Sequence, residues 1–189
     1  MSKLIDVDKY WSWRNDQVSD DGRTEILFQD QHLSWLEDCQ KVLDAGCGVG
    51  HLVRKLQALG KDATGLTYNP LEVDIARTKY GTTIVEGDLH RLPWPDQMFD
   101  AVVCWDALEH TVAPLHVLGE FRRVLKPGGK LLVFMPGDNW VETNYHILCL
   151  TMPQMLHLVA LLGYKYLELY DYGADGSYAP NTAVYRVTT

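Results

Sequence analysis

The sequence predicts an α/β fold in which a mostly parallel, doubly wound sheet carries helices on both faces. Short apolar runs typical of strands alternate with helical patterns over the first two thirds of the chain, an alternation typical of a parallel sheet. A turn with glycine at every second position, residues 46–50, joins the first of these strands to a helix. Two strand patterns near the C-terminus are separated by turn residues, so we expect an antiparallel hairpin to close the sheet.

Length and composition are those of one globular domain. The 189 residues carry a formal net charge of −8, and the acidic balance disfavours nucleic acid as a partner. An apolar run of about eighteen residues is absent, so no membrane span is expected. Acidic residues stand where a signal peptide has its apolar core, which predicts a cytoplasmic protein. Four widely spaced cysteines are expected to be reduced thiols: Cys39, Cys47, Cys104 and Cys149.

The N-terminal segment is polar with embedded aromatic residues. Residues 1–24 include Tyr10, Trp11 and Trp13. Two interpretations fit this composition, a terminal arm that covers the side of the core and a flap over an active site. Residues 24–38 place apolar side chains at helical spacing, which predicts a helix.

The glycine-rich turn follows a buried strand pattern that ends at Asp44. The helix after the turn has apolar residues at helical spacing: Leu52, Val53, Leu56 and Leu59. Alternate glycines permit a positive φ and remove side chains from the surface of the turn. The helix N-terminus directs its unpaired N–H groups toward the same place. We therefore expect a flat, polar and partly anionic ligand there.

A second strand pattern covers residues 62–67 and leads into a helix. Asn69 suits the N-cap, Pro70 suits the first helical position, and Glu72 stands where its side chain can bond back to the cap. A third strand is predicted over 82–86, followed by a proline-containing irregular loop.

The run 99–104 is apolar almost throughout, as expected of a strand covered on both faces. A helix is predicted over 113–125, on which Arg122 and Arg123 form a solvated face. The sequence Lys-Pro-Gly-Gly ends this helix before a strand at 130–134.

The C-terminal third combines an irregular segment with a helix and two strands. Residues 137–152 are rich in polar and aromatic side chains, and a helix is predicted from 152 to 162. Strands are predicted over 164–170 and 182–187.

Ligands of doubly wound sheets bind beyond the carboxyl ends of the strands, near the point where the strand order reverses. This rule places four features along one edge of the predicted sheet: the glycine turn, Thr67, Asp88 and Trp105.

Three segments together resemble the class I S-adenosylmethionine-dependent methyltransferases of the small-molecule, type 11-like group. VLDAGCGVGHL resembles the first motif of that family, EGDLHRLPWPDQMFDAVVCWDALEH its adenine loop and fourth strand, and FRRVLKPGGKLLV the approach to its fifth strand. The resemblance covers about half the chain. It implies a Rossmann-like seven-stranded sheet, S-adenosylmethionine as cofactor with S-adenosylhomocysteine as product, and methyl transfer to an O, N or C atom of a small molecule.

The resemblance also implies a division of the chain and a set of cofactor contacts. We expect a single domain over 1–189, with an arm at 1–24, a cofactor-binding core at 25–135 and acceptor-side elements at 136–189. The methionine end of the cofactor would lie against Asp44, Gly46, Cys47, Gly48 and Gly50. Asp88 would accept the adenine amino group, with the alternative that it is a turn residue. The backbone of Leu89 would meet the adenine ring, and Trp105 would lie beside the methionine carbons.

One residue departs from the family pattern. Members usually end the second strand with an acid that binds the ribose hydroxyls, whereas this chain has the neutral Thr67. Ribose binding is therefore expected to be weaker, or shared with Tyr68 or Asn69. The cyclopropane fatty acid synthases have a similar Gly-Leu-Thr and remain methyltransferases.

Methyl transfer from a sulfonium relies mainly on positioning, and a base accelerates it when the acceptor carries a proton. His110 is the first candidate for this general base, with packing between loops as the alternative, and Tyr145 and His146 come second. Glu109, His110 and His116 are close in sequence but lack the spacing of a helical ligand pair, so no metal is predicted.

Three other functions are alternatives to methyl transfer to a small molecule. A non-catalytic or regulatory S-adenosylmethionine-binding domain is the main alternative, because the acid at Thr67 is missing. A nicotinamide oxidoreductase is disfavoured by the G-x-G-x-G spacing, since dinucleotide-binding turns read G-x-G-x-x-G. A methyltransferase that acts on a macromolecule is the third function, and the acidic net charge disfavours nucleic acid as its substrate.

Overall fold

The computed structural model describes residues 30–136, 146–148, 150–171 and 183–189. Predictions for the N-terminal arm, Tyr145 and Cys149 lie outside these ranges. The division of the chain into arm, core and acceptor side stays a prediction. Among the described residues, every helix is too short or too polar to cross a membrane.

The described elements are seven strands and five α-helices. In chain order they are α1 (Asp30–Ser34), β1 (Lys41–Ala45), α2 (His51–Ala58), β2 (Asp62–Thr67), α3 (Pro70–Tyr80), β3 (Val85–Glu86), β4 (Phe99–Trp105), a 3₁₀ helix (Leu108–His110), α4 (Pro114–Val124), β5 (Leu125–Met135), α5 (Met152–Leu161), β6 (Lys165–Asp171) and β7 (Ala183–Thr188).

All seven strands form one sheet in the order β3-β2-β1-β4-β5-β7-β6. The first five strands pair in parallel, and β7 is antiparallel to both β5 and β6. This confirms the predicted Rossmann-like fold and its C-terminal hairpin. The order reverses between β1 and β4, so the crevice beyond their carboxyl ends is where such a fold binds its ligand.

Alternating residues of the strands pack into two apolar layers, one on each face of the sheet. In β4, Val102 and Cys104 face the layer formed with α4 and α5, whereas Val103 and Trp105 face the layer formed with α2. Phe121 of α4 is fully buried in the first layer, and burial of such a side chain contributes about 1.5–3 kcal/mol to folding. The sheet is therefore a rigid platform for the loops at its carboxyl edge.

Three element boundaries differ from the prediction. The first helix ends at Ser34 and not at residue 38, because the amides that follow bond three residues back and close turns. The third strand is reduced to Val85–Glu86, since the Thr82 amide still bonds to the end of α3. The fifth strand begins at Leu125 and not at residue 130, because Leu125 pairs with Phe99 before an irregularity in the ladder.

Two side-chain predictions are also wrong. Leu59 follows the last residue of α2 and is 58% exposed, so it does not face the core. Arg123 is not simply solvated: its guanidinium donates hydrogen bonds to the carbonyls of Leu92 and Trp94 and to the Glu120 carboxylate. It therefore fastens the irregular loop after β3 to α4.

Candidate functional site

The glycine turn has the backbone that its sequence predicts. Gly46, Gly48 and Gly50 have φ of 89°, 52° and 83°, values that L side chains rarely adopt. A Cβ on Gly46 would also overlap the Cβ of Ala107, in the loop after β4. The amides of Gly46 and Cys47 donate to the carbonyl of Leu66 at 2.9 and 3.0 Å, which ties the turn to the end of β2.

Asp44 places a buried carboxylate directly before this turn. Its side chain lies near the end of β1 and the residue is 3% exposed. Its Oδ2 accepts no hydrogen bond from any residue that the structure describes. Burial raises the pKa of Asp44 from 3.8 to about 7, because the ionised form is poorly solvated there. A cationic ligand group at the turn would stabilise the ionised carboxylate.

A buried acid of α3, Glu72, contacts the end of β2, a role that sequence reasoning missed. Glu72 was expected to bond back to the N-cap of α3, but its carboxylate accepts the hydroxyl hydrogen of Thr67. Asn69 does cap the helix, since its Oδ1 accepts the amide of Leu71 at 3.0 Å. Glu72 and Thr67 are both buried, whereas Tyr68 is 61% exposed. The strand itself ends in the neutral Thr67, and the carboxylate of Glu72 from α3 lies beside it.

Asp88 lies after β3, where its carboxylate is held by His90. Its Oδ1 accepts the His90 amide at 2.8 Å and lies 2.7 Å from His90 Nδ1. Burial opposes ionisation, but these contacts outweigh it and keep the pKa of Asp88 below its usual value. The amide contact is that of a turn-forming aspartate, and it leaves the carboxylate half exposed and ionised.

The end of β4 turns sharply behind a buried indole. Trp105 stacks on Phe134 with ring centroids 5.0 Å apart, and His32 contacts it edge-on, also at 5.0 Å. Asp106 has a φ of 53°, an uncommon conformation for a residue with a side chain. This turn brings Ala107 against Gly46 and starts the 3₁₀ helix that carries His110.

A cluster of ionisable residues lies beyond this turn. Glu109 is 0% exposed, and its carboxylate Oε1 is 4.0 Å from His146 Nε2. The rings of His110 and His146 meet at a centroid distance of 4.9 Å. Burial raises the pKa of Glu109 well above its ordinary value, and the neighbouring Asp106 charge adds to this effect. The amides of Ile147 and Leu148 donate to the Glu109 carbonyl and hold the two segments together.

His116 does not belong to this cluster, although the sequence places it close to Glu109 and His110. Its Nε2 lies 2.8 Å from the His90 carbonyl oxygen, and the two rings are stacked. His146 takes its place beside Glu109. Sequence reasoning named His146 only as a second candidate base, because no local pattern connects residues so far apart in the chain.

The structure thus brings the predicted site residues to one edge of the sheet. The glycine turn, Thr67, Asp88 and Trp105 lie at or directly after the carboxyl ends of four neighbouring parallel strands. Their roles toward a ligand stay predictions. The residues that sequence reasoning missed are Glu72 and the pairing of Glu109 with His146.

Comparison with known proteins identifies the same segment. Residues 43–133 match the family described as methyltransferase domain. A sterol 24-C-methyltransferase of Gibberella zeae is 39% identical over 123 residues, which cover 61% of this chain and 31% of that enzyme. The chain therefore spans about a third of the length of that curated relative.

Two solved structures share the fold. A SAM-dependent methyltransferase of Methanosarcina mazei superposes with a TM-score of 0.71 at 17% identity, covering 85% of this chain and 97% of that one. The [4+2]-cyclase SpnF superposes with a TM-score of 0.64 at 24% identity, covering 79% and 74%. The residues of the site also fit the cofactor of the matched family, since the buried Asp44 oxygen suits its amino group and the three glycines of the turn leave room for a close approach. Residues 43–133 of the chain therefore match the methyltransferase-domain family in sequence, and the sheet has the fold of the S-adenosylmethionine-dependent methyltransferases.

Proposed function

We propose that the protein transfers a methyl group from S-adenosylmethionine to a small-molecule acceptor. The observation that carries this proposal is the buried Asp44 carboxylate, with Oδ2 lacking a hydrogen bond among the described residues, at the start of the glycine turn. An unpaired buried carboxylate is costly, and a cationic ligand would offset that cost. The chain spans about a third of the length of its curated relative, so catalysis by this chain alone is also proposed.

The proposed cofactor contacts follow the carboxyl edge of the sheet. Gly46 and Cys47 shape the turn, because their amides are already engaged by Leu66. The Thr67–Glu72 pair supplies the polar oxygens for the ribose in place of an acid on β2. The full proposed set is Asp44, Gly46, Cys47, Gly48, Gly50, Thr67, Tyr68, Glu72, Asp88, Leu89 and Trp105.

Catalysis is proposed to depend on positioning with one candidate base. When bound, the cofactor supplies a methyl group activated on a positively charged sulfur. The protein then needs to hold the acceptor atom in line with that methyl group and exclude water. His110 is the proposed base that accepts a proton from the acceptor. Its partial burial directly after β4 and its contact with the His146 ring support this role.

The acceptor class is proposed from the relatives. The Gibberella zeae relative is named a sterol 24-C-methyltransferase. This name favours an apolar acceptor and transfer to carbon as the first case to test. Transfer to oxygen or nitrogen stays open, because a base such as His110 serves acceptors that carry a proton.

A second candidate function is a domain that binds the cofactor without transferring its methyl group. The observation that favours it is the fold likeness to a [4+2]-cyclase, because one fold supports unrelated chemistries.

Methyl transfer is tested directly with isotope-labelled S-adenosylmethionine and a panel of acceptors: a sterol with a side-chain double bond, a phenol and an amine. Mass spectrometry should detect a labelled product with one class of acceptor and an equal amount of S-adenosylhomocysteine. Cofactor binding without labelled product from any class would favour the non-catalytic alternative.

A further inference from the structure

The cluster formed by Glu109, His110 and His146 has the composition of a metal site. Each residue offers one ligand atom, and these three atoms lie within 4.8 Å of one another. Two imidazole nitrogens and one carboxylate oxygen are the donor set of many zinc and iron sites. We infer that these three residues bind a divalent transition-metal ion of the zinc type.

The distances are compatible with one shared ion. Glu109 Oε1 and His146 Nε2 are 4.0 Å apart, close to the separation of about 3.4 Å that two ligands at about 2.1 Å have on a tetrahedral ion. The rings of His110 and His146 meet edge to face with centroids 4.9 Å apart and planes at 61°. The inference requires side-chain rotations that bring the three ligand atoms, which lie within 4.8 Å of one another, to about 3.4 Å apart on one ion.

The burial of Glu109 supports the site independently of the distances between the ligand atoms. Glu109 is 0% exposed, and neither carboxylate oxygen accepts a hydrogen bond from the described residues. A carboxylate in that position is expensive unless it is paired or coordinates a metal. Asp106 adds a second acidic group beside Glu109. Among the described residues the ion-pair partner of Glu109 is His146, so a divalent ion would compensate the acidic charge and use both imidazoles.

The backbone around the cluster is braced. The Glu109 carbonyl accepts the amide of Ile147 at 2.8 Å and that of Leu148 at 3.2 Å, which fixes the spacing between the 3₁₀ helix and the segment that carries His146. Such bracing outside the ligand atoms is what orients metal ligands in proteins. The donor set excludes calcium and magnesium as preferred ions, because both favour all-oxygen coordination.

Three protein ligands leave a fourth position open on a tetrahedral ion. His110 then acts as a ligand, and the nitrogen that binds the ion cannot also accept a proton. The base role of His110 and its ligand role therefore belong to different metal states of the protein. The metal inference itself does not depend on methyl transfer.

The test is metal binding by the full chain after treatment with a chelator. Titration with Co²⁺ should give visible d–d absorption that saturates at one equivalent and is displaced by Zn²⁺. Zinc should also raise the Tm, because it binds the folded state. No saturable equivalent in the folded wild-type protein would overturn the inference, whatever the variants do.

Variants locate the site. Glu109→Gln removes a ligand charge with little change of shape, and His146→Ala removes an imidazole; each should weaken Co²⁺ binding by at least about tenfold. His157→Ala is the matched control, since His157 is exposed on α5 outside the cluster. Equal loss in the control, or unchanged binding in Glu109→Gln, would show that the ion binds elsewhere.

Discussion

The substitution Asp44→Asn removes the buried carboxyl at the end of β1, beside the glycine turn of the proposed cofactor site. Raising the pKa of Asp44 from 3.8 to about 7 corresponds to a cost of about 4 kcal/mol for the ionised form in the folded protein without ligand. Partial solvation and relaxation reduce this figure, so it is an upper limit.

The sign of the effect follows from the direction of the shift. The folded protein holds the Asp44 proton between pH 4 and 7, where the unfolded chain has lost it, so the wild-type free energy of unfolding falls as pH rises through this window. The Asn variant lacks this dependence. Its stability relative to wild type should therefore improve by up to about 4 kcal/mol between pH 4 and pH 8.

Denaturant unfolding at pH 4 and pH 8 measures the difference in unfolding free energy between the two proteins. Titration calorimetry measures the effect of the substitution on cofactor affinity. Asp44→Asn should bind S-adenosylmethionine about tenfold or more weakly at pH 8, because a hydrogen bond to a charged group is lost. The reasoning is refuted if the difference in unfolding free energy between the two proteins is the same at both pH values.

Three further substitutions test separate parts of the account. Glu72→Gln keeps an acceptor for the Thr67 hydroxyl but removes the charge, so calorimetry should show cofactor affinity reduced about fivefold; unchanged affinity would remove Glu72 from the ribose site. His110→Ala in the metal-free protein should lower kcat by about 10²-fold while S-adenosylhomocysteine affinity stays near wild type, and full turnover would mean that positioning suffices. Arg123→Ala should lower the free energy of unfolding by about 2 kcal/mol, since it frees the carbonyls that Arg123 binds; an equal loss in the control Arg91→Ala, at an exposed arginine of the same loop, would contradict this role.

The sequence predicts the frame of the site well because its signals are local. An apolar strand, alternate glycines and a helix define the first turn within a dozen residues, and Asn69 caps α3 as its type and position predict. Residues at the carboxyl ends of parallel strands then meet at one edge, whatever the details of packing. The positions of Thr67, Asp88 and Trp105 follow from this rule alone.

The remaining contacts depend on tertiary structure. Glu72 fits a capping box by its spacing, but the Thr67 hydroxyl on the adjacent strand end competes for the same carboxylate and binds it. The partner of Glu109 is His146, which a backbone contact after β5 brings beside the 3₁₀ helix. His116 lies closer in sequence, yet α4 directs it to His90. Spacing alone cannot rank such competing partners.

Titration calorimetry with S-adenosylmethionine, S-adenosylhomocysteine and NAD tests the central claim most directly. The account predicts saturable binding of both sulfur nucleosides and none of NAD. It also predicts loss of binding in Gly48→Val, because a β-branched side chain at a φ of 52° is strained and obstructs the turn. Preferential binding of NAD, or a folded wild-type protein that binds neither sulfur nucleoside, would contradict it.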